Sequence, residues 1–184
     1  FVMLVLVSTI PTGLIGIIGK GLVSAAGQTL LIPGICLLMT GVLLLIADTT
    51  REGHKLPRQV TYKNGLLIGA AQGLATLPGL SRSGTTIAVC LLLGMDRRFA
   101  VKYSFILSIP AVLGAALLEV KDVIAEPVEA SLIGVYAIGM VFAAVVGYIC
   151  IKTMLIVVKN KKFKYFSYYC FIVGAVAIAG HFLL

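Results

Sequence analysis

The chain has 184 residues, of which 60% are hydrophobic and only 12% are charged, and its formal net charge is +8. About a quarter of the residues of a soluble domain are charged, so this composition excludes a soluble globular protein and indicates an all-α integral membrane protein. The basic residues lie in loops between apolar segments, which fits the positive-inside rule, and no nucleic-acid partner is predicted.

The first residue is Phe1 rather than Met, and it stands inside an apolar run without the pattern of a signal peptide. We therefore expect an N-terminally truncated chain in which residues 1–184 form a single transmembrane domain. Because about 20 apolar residues cross a bilayer, five spanning helices are predicted. Their ranges are 1–19, 27–47, 99–118, 130–158 and 163–184.

The segment 62–95 is also apolar, but polar residues interrupt it near its middle. Both of its flanks are basic, so both ends are predicted to be cytoplasmic, and residues 64–95 are predicted to form a re-entrant hairpin. Each limb has about 13 residues, or ~20 Å of helix, which is too short to span. The basic turn 159–164 is also predicted to be cytoplasmic, whereas the turn 20–26 and the acidic loop 121–129 are predicted to be outside.

Two apolar spans contain similar segments, Ser8-Thr9-Ile10-Pro11 and Leu107-Ser108-Ile109-Pro110. Both helices run in the same direction on the predicted topology, so the similarity does not indicate an inverted pair. Their prolines either kink the helices for structural reasons or open space around the tip of the hairpin.

The tip of the hairpin combines residues that are typical of an anion-binding site. Pro78 and Gly79 end the first limb, and Ser81 or Ser83 caps the second limb, whose first N–H groups lack helical partners. Such a helix start favours phosphate, and Arg82 adds a permanent charge with a planar fork that can bind two phosphate oxygens. The alternative interpretation is a structural cap whose arginine pairs with a carboxylate or with carbonyl groups.

Eight residues are candidates for this site. The guanidinium would stabilise charge on a phosphate, and the hydroxyl groups would donate hydrogen bonds to its oxygens. A nucleophilic serine needs a neighbouring base, and no histidine or carboxylate lies within a turn, so the nucleophile stays unassigned. The predicted catalytic residues are Ser81, Arg82, Ser83 and Thr86, and the predicted substrate-binding residues are Gln72, Gly79, Gly84 and Thr85.

The residues at the tip resemble the PGxSRSxxT signature of the undecaprenyl-diphosphate phosphatase family, the bacitracin-resistance lipid phosphatases. They are Pro78-Gly79-Leu80-Ser81-Arg82-Ser83-Gly84-Thr85-Thr86, and the segments 72–77, 94–98, 103–105 and 108–110 also look like the family. The resemblance covers the whole chain and corresponds to the C-terminal two-thirds of the family. It implies a multi-pass hydrolase of the bacterial cell membrane that converts undecaprenyl diphosphate into undecaprenyl phosphate and phosphate, recycling the lipid carrier of peptidoglycan synthesis. It also implies an inverted-repeat architecture.

One departure from the family pattern matters for the chemistry. The family's acidic ExxxE signature, with its following histidine segment, is absent, and Gln72 and Thr76 stand at the corresponding spacing. The divalent cation that the resemblance implies, Mg²⁺ or Ca²⁺, would therefore take its ligands upstream of Phe1, and no metal ligand is predicted within the chain. The fragment alone is expected to be inactive.

Two further hypotheses stay open. The same hairpin could belong to a transporter or flippase that binds a phosphorylated lipid without cleaving it, since broken helices also form transporter sites. The chain could instead be a non-catalytic subunit whose partner supplies carboxylates. The side to which the site opens, and whether the chain forms a homo-oligomer, are not predicted.

Overall fold

The computed structural model describes residues 1–51, 53–125, 132–160 and 162–183, and these parts are helical apart from short connections. The helices are α1 (Val2–Ile18), α2 (Lys20–Gly27), α3 (Leu31–Thr49), α4 (Tyr62–Leu74), α5 (Arg82–Leu92), α6 (Arg97–Ala125), α7 (Ile133–Lys159) and α8 (Phe163–Leu183). A 3₁₀ turn, Pro57–Gln59, precedes α4. The all-α prediction is confirmed.

Four helices, α3, α6, α7 and α8, are long and apolar enough to cross a membrane, and the bent pair α1 and α2 together makes a fifth candidate. The chain is therefore a multi-pass membrane protein. The prediction of a turn at 20–26 was wrong, because these residues form α2, which is bent by 60° from α1. Gly19 permits the bend, since a Cβ at this position would lie 2.8 Å from the carbonyl oxygen of Ile15.

Helices α1 and α4 pack closely because one face of α4 carries glycines at successive turns. A Cβ at Gly65, Gly69 or Gly73 would overlap atoms of α1, among them those of Ser8 and Ile15. Small residues at this spacing let helix backbones approach each other in membrane proteins. The hydroxyl of Thr12 adds a hydrogen bond of 2.8 Å to the carbonyl of Gly69.

Helices α4 and α5 form a hairpin whose two ends lie at the same end of the molecule. The N–H of Lys55, before α4, donates to the carbonyl of Gly94, after α5, at 3.0 Å. The N–H of Asp96 donates in turn to the carbonyl of Lys55 at 3.1 Å. The two helices therefore run out and back as a hairpin, and the placement of residues 64–95 as a re-entrant element in a bilayer stays a prediction.

The loops that the charge pattern predicts to be cytoplasmic gather around these hairpin ends. The side chain of Arg97, at the start of α6, is buried and donates to the carbonyl of Thr50 at 3.0 Å and, at longer distance, to those of Ala47 and Asp48. The N–H of Phe163, at the start of α8, donates to Asp48 Oδ1 at 3.2 Å. The loop predicted at 121–129 is replaced up to Ala125 by α6, and residues 126–131 lie outside the described residues.

Candidate active site

The turn at the tip of the hairpin is held in place by two conformational features. Gly79 has a φ of +88°, which favours glycine, and a Cβ there would overlap the carbonyl of Pro33 in α3. Ser81 is the N-cap of α5, and its Oγ accepts a hydrogen bond of 3.2 Å from the N–H of Gly84. Of the two caps that the sequence left open, the structure has Ser81.

Thr40, in the middle of α3, fastens this turn to the rest of the protein. Its Oγ1 accepts a hydrogen bond of 3.0 Å from the N–H of Ser81. The same hydroxyl lies within donating distance of the carbonyls of Cys36, at 3.0 Å, and Gly79, at 3.2 Å. Sequence reasoning missed Thr40, although a threonine inside an apolar span is a signal that could have drawn attention to it.

A cavity of about 200 Å³ lies beside the first turn of α5. Its lining residues are Arg82, Ser83, Ser104, Phe105 and Ser108. Two of the predicted catalytic residues, Arg82 and Ser83, therefore line it. The three residues contributed by α6 were not predicted as site residues, although Ser104 and Ser108 are hydroxyl groups one helical turn apart on an apolar span.

The wall that α5 contributes to this cavity is suited to an anion. The guanidinium of Arg82 is half-buried and forms no hydrogen bond or ion pair with the residues that the structure describes. Ser81 occupies the N–H groups of Gly84 and Thr85, which leaves those of Arg82 and Ser83 without an acceptor in the same part of the chain. A free cation beside free amides at a positive helix end favours phosphate.

The cavity lies at the tip of the hairpin, away from the hairpin ends. Helix α5 has 11 residues, so Arg82 is about 16 Å from the hairpin ends at ~1.5 Å per residue. That is roughly half of the ~30 Å hydrocarbon thickness. On the predicted re-entrant placement of the hairpin, an arginine at this depth would be costly unless it faced a polar cavity or a ligand.

The other predicted site residues lie behind the cavity wall rather than in it. Gly84, Thr85 and Thr86 are buried in the first two turns of α5. Thr86 Oγ1 lies 2.9 Å from the carbonyl of Arg82 and is hydrogen-bonded to the hydroxyl of Ser104, so it ties α5 to α6. The hydroxyl of Thr85 is buried and has no partner among the described residues.

Gln72 is fully buried and bonds to α6 and α1 rather than to Arg82. Its Nε2 donates to the carbonyl of Leu107 at 3.2 Å and lies 3.5 Å from Thr12 Oγ1. Its Oε1 has no partner within the described ranges. These contacts give Gln72 a place in the packing of the hairpin against α1 and α6, outside the lining of the cavity.

The residues around the cavity do not fit a divalent cation. Such ions prefer carboxylate and carbonyl oxygens, whereas this cavity presents a guanidinium and three hydroxyl groups. Across residues 1–51, 53–125, 132–160 and 162–183 the structure contains no cluster of three or more His, Cys, Asp or Glu side chains that could hold a metal. The cavity can bind and stabilise an anion, but it offers no group that activates a nucleophile.

Comparison with known proteins agrees with the chemistry of this cavity. The family model "Bacitracin resistance protein BacA" matches residues 1–176. The undecaprenyl-diphosphatase of Halothermothrix orenii is 41% identical over 175 residues, covering 95% of this chain and 68% of the relative. That of Methanosphaera stadtmanae is 39% identical over 178 residues, covering 97% and 63%. That of Methanothermobacter thermautotrophicus is 41% identical over 180 residues, covering 96% and 98%.

The chain thus spans about two thirds of the length of the first two relatives and nearly all of the third. The family model extends over the hairpin and its tip as well as over the spans on either side. The resemblance seen at residues 78–86 is confirmed, and the chain belongs to the bacitracin resistance protein BacA family.

Proposed function

We propose that this protein takes part in the hydrolysis of undecaprenyl diphosphate to undecaprenyl phosphate and phosphate in the bacterial cell membrane, with the cavity at the start of α5 as its phosphate-binding site. The observation that carries the proposal is the guanidinium of Arg82 beside the N–H groups of Arg82 and Ser83 at the start of α5, none of which has a partner among the described residues. The name undecaprenyl-diphosphatase, carried by relatives 38–41% identical over most of the chain, supports it.

Positioning and charge stabilisation dominate phosphoryl transfer, so the residues at the tip can contribute without acting as nucleophiles. Arg82 would bind two oxygens of the diphosphate and stabilise the charge that grows on them as the bond breaks. The N–H groups of Arg82 and Ser83 would hold another oxygen, and the hydroxyl of Ser83 would donate a further hydrogen bond. Thr86 and Gly84 would keep this turn in place, and Ser81 would cap it.

The prenyl tail would lie along the lipid-facing side of the bundle. The outer half of α6 and nearly all of α7 expose apolar side chains, for example Leu113, Leu117 and Met140. The exposed apolar surface of α6 reaches the residue directly after Ser108, and Ser108 lines the cavity. A lipid whose headgroup occupies the cavity can therefore keep its tail in hydrocarbon.

No step of the reaction is assigned to a divalent cation, because the described residues offer it no carboxylate site. A cation used by the reaction would need ligands from outside this set. The nucleophile likewise stays unassigned, since the cavity contains no base next to Ser83.

Replacing Arg82 tests the proposal. We expect Arg82→Ala to weaken binding of methylenediphosphonate, a diphosphate analogue that is not hydrolysed. In the full-length protein, as when an anion-stabilising donor is removed, it should also lower kcat/KM for prenyl diphosphate by about 100-fold or more. Arg82→Lys should retain only part of the activity because it loses the planar fork. Calorimetry in detergent and phosphate release measure the two effects.

Arg98→Ala is the matched control, since Arg98 is an exposed arginine at the far end of α6 and should behave as the wild type. Unchanged binding and turnover in Arg82→Ala would contradict the proposal. Transfer of prenyl diphosphate across vesicle membranes without any release of phosphate would favour a transporter instead.

A further inference from the structure

The wall of the cavity opposite Arg82 is formed by α6, and its hydroxyl groups are not explained by the chemistry assigned to α5. Ser104 and Ser108 both line the cavity, and a spacing of four residues places them on one face of the helix. Together with the guanidinium of Arg82 and the hydroxyl of Ser83, they give the cavity a lining that can donate hydrogen bonds from two helices.

The two serines differ in their burial and in the hydrogen bonds that their hydroxyl groups form within the protein. Ser104 is almost completely buried, and its hydroxyl is hydrogen-bonded to Thr86, so it joins the two helices. Ser108 is only half-buried, and its Oγ donates to the carbonyl of Phe105, in its own helix, at 2.7 Å. That carbonyl also has the N–H of Ile109 as its regular helical partner, so Ser108 can release it at little cost.

The register between α5 and α6 places Ser108 level with Arg82. The two helices are joined by a short turn and run in opposite directions, and Thr86 meets Ser104 between them. Arg82 lies four residues before Thr86, towards the tip of the hairpin. Ser108 lies four residues after Ser104, and because α6 runs opposite to α5, this step also leads towards the tip. Both steps cover about 6 Å in the same direction, so the two side chains face each other across the cavity.

We propose that Ser108 is a substrate-binding residue, which donates a hydrogen bond to a diphosphate oxygen on the side opposite Arg82, with Ser104 as the positioning residue that sets the register. This inference rests on the proposed function of the same cavity. It adds a second helix to the phosphate site, so that the ligand is bound between α5 and α6 rather than at one helix end. A serine hydroxyl can turn from the Phe105 carbonyl to the ligand because its rotor is free.

The chain offers a matched control for this residue. Thr9 stands two positions before Pro11, as Ser108 stands two positions before Pro110, and its hydroxyl donates to the carbonyl of Val5 at 2.8 Å. Thr9 does not line the Arg82 cavity. Thr9→Ala therefore removes a hydroxyl that bonds to its own helix before a proline, without touching the proposed site.

The experiment compares Ser108→Ala, Ser108→Thr and Thr9→Ala in the full chain in detergent, by the affinity for methylenediphosphonate and by the melting temperature. We expect Ser108→Ala to weaken the affinity about tenfold, as for a hydrogen bond to a charged group, while Ser108→Thr keeps most of it and Thr9→Ala all of it. The melting temperatures of the two alanine variants should be similar, because both lose the same kind of helix bond.

Equal affinities for Ser108→Ala and Thr9→Ala, in a protein whose affinity falls in Arg82→Ala, would overturn the role of Ser108 and leave the proposed function standing. A wild-type protein with no affinity for the analogue and no phosphate release would overturn both. A loss of affinity in Ser108→Ala that Ser108→Thr does not restore would also overturn the proposal, since the hydroxyl would not be the cause.

Discussion

Gly79 is the residue on which the shape of the phosphate site depends most directly. Its φ of +88° is strained for any residue with a Cβ, and the backbone of Pro33 occupies the place where that Cβ would lie. The turn thus needs glycine for two separate reasons, one conformational and one steric. Gly94, which follows α5 with a φ of +79°, shares only the first reason, because among the described residues the atom nearest its Cβ position is in the flexible side chain of Lys55, at 3.8 Å.

Alanine substitutions at Gly79 and Gly94 separate the cost of the left-handed backbone conformation from the cost of the overlap with Pro33. Gly94→Ala should destabilise the protein by about 1–2 kcal/mol, the cost of a left-handed alanine. Gly79→Ala should cost clearly more and should also reduce diphosphate binding, because α3 and the tip must move apart. Gly13→Ala, in α1 with open space around it, should be neutral or slightly stabilising. Thermal unfolding in detergent measures all three, and equal losses for Gly79→Ala and Gly94→Ala would show that the Pro33 contact is unimportant.

At the scale of elements, Thr40 shows how one helix positions the end of another. Its hydroxyl accepts from the N–H of Ser81 and lies within reach of the Gly79 carbonyl, so α3 holds the turn from which α5 begins. We expect Thr40→Val, which keeps the shape but removes the hydroxyl, to cost about 1–3 kcal/mol, as for a buried donor left unpaired. It should also lower diphosphate affinity, since Ser81 caps the helix that carries Arg82.

The control for Thr40 is Thr153→Val, because the exposed hydroxyl of Thr153 bonds only to the carbonyl of Ile149 in its own helix. That variant should keep both its stability and its affinity, as judged by thermal unfolding and calorimetry. A Thr40→Val protein that binds the analogue as well as Thr153→Val would show that the tip keeps its position without α3.

Hydropathy predicted the long helices well, because the thickness of the bilayer sets the length of a spanning segment. Apolar runs and loop charges predicted five spans, which correspond to α1, α3, α6, α7 and α8, and the interruption between α4 and α5. Helix α2 was missed because a short apolar stretch between two spans looks the same whether it is a turn or a helix. In the site, Arg82 and Ser83 were predicted from local chemistry, since a helix start and its charges are neighbours in sequence.

Contacts between distant parts of the chain could not be predicted in the same way. Ser104 meets Thr86, and Thr40 meets Ser81, only because of how the helices pack. Arg97, which loop charge alone would place in water, is instead buried against the end of α3, where its guanidinium binds carbonyl groups that lack helical partners. A positive charge at a predicted cytoplasmic loop can therefore also be a helix cap.

For the whole molecule, the hydrogen bonds between loops make a prediction about topology. Lys55 is bonded to Gly94 and Asp96, so the start of α4 and the start of α6 must lie on one side of the membrane, although α4 and α5 lie between them. With α1 and α3 each crossing the membrane once, α2, which connects them, is predicted to lie on the opposite side. The exposed residues Lys63, Arg98 and Ser24 report on these three places.

One added cysteine at each of these positions tests the topology in sealed vesicles with an impermeant maleimide, in a chain in which the exposed Cys150 is replaced by alanine and the remaining cysteines, Cys36, Cys90 and Cys170, are buried. We expect Lys63→Cys and Arg98→Cys to be labelled from the same side, and Ser24→Cys only from the other. The reason is that two helices of 13 and 11 residues cannot each cross ~30 Å of hydrocarbon and must return together. Labelling of Lys63→Cys and Arg98→Cys from opposite sides would mean that α4 and α5 together cross the membrane once as a broken span, and the re-entrant hairpin would then be wrong.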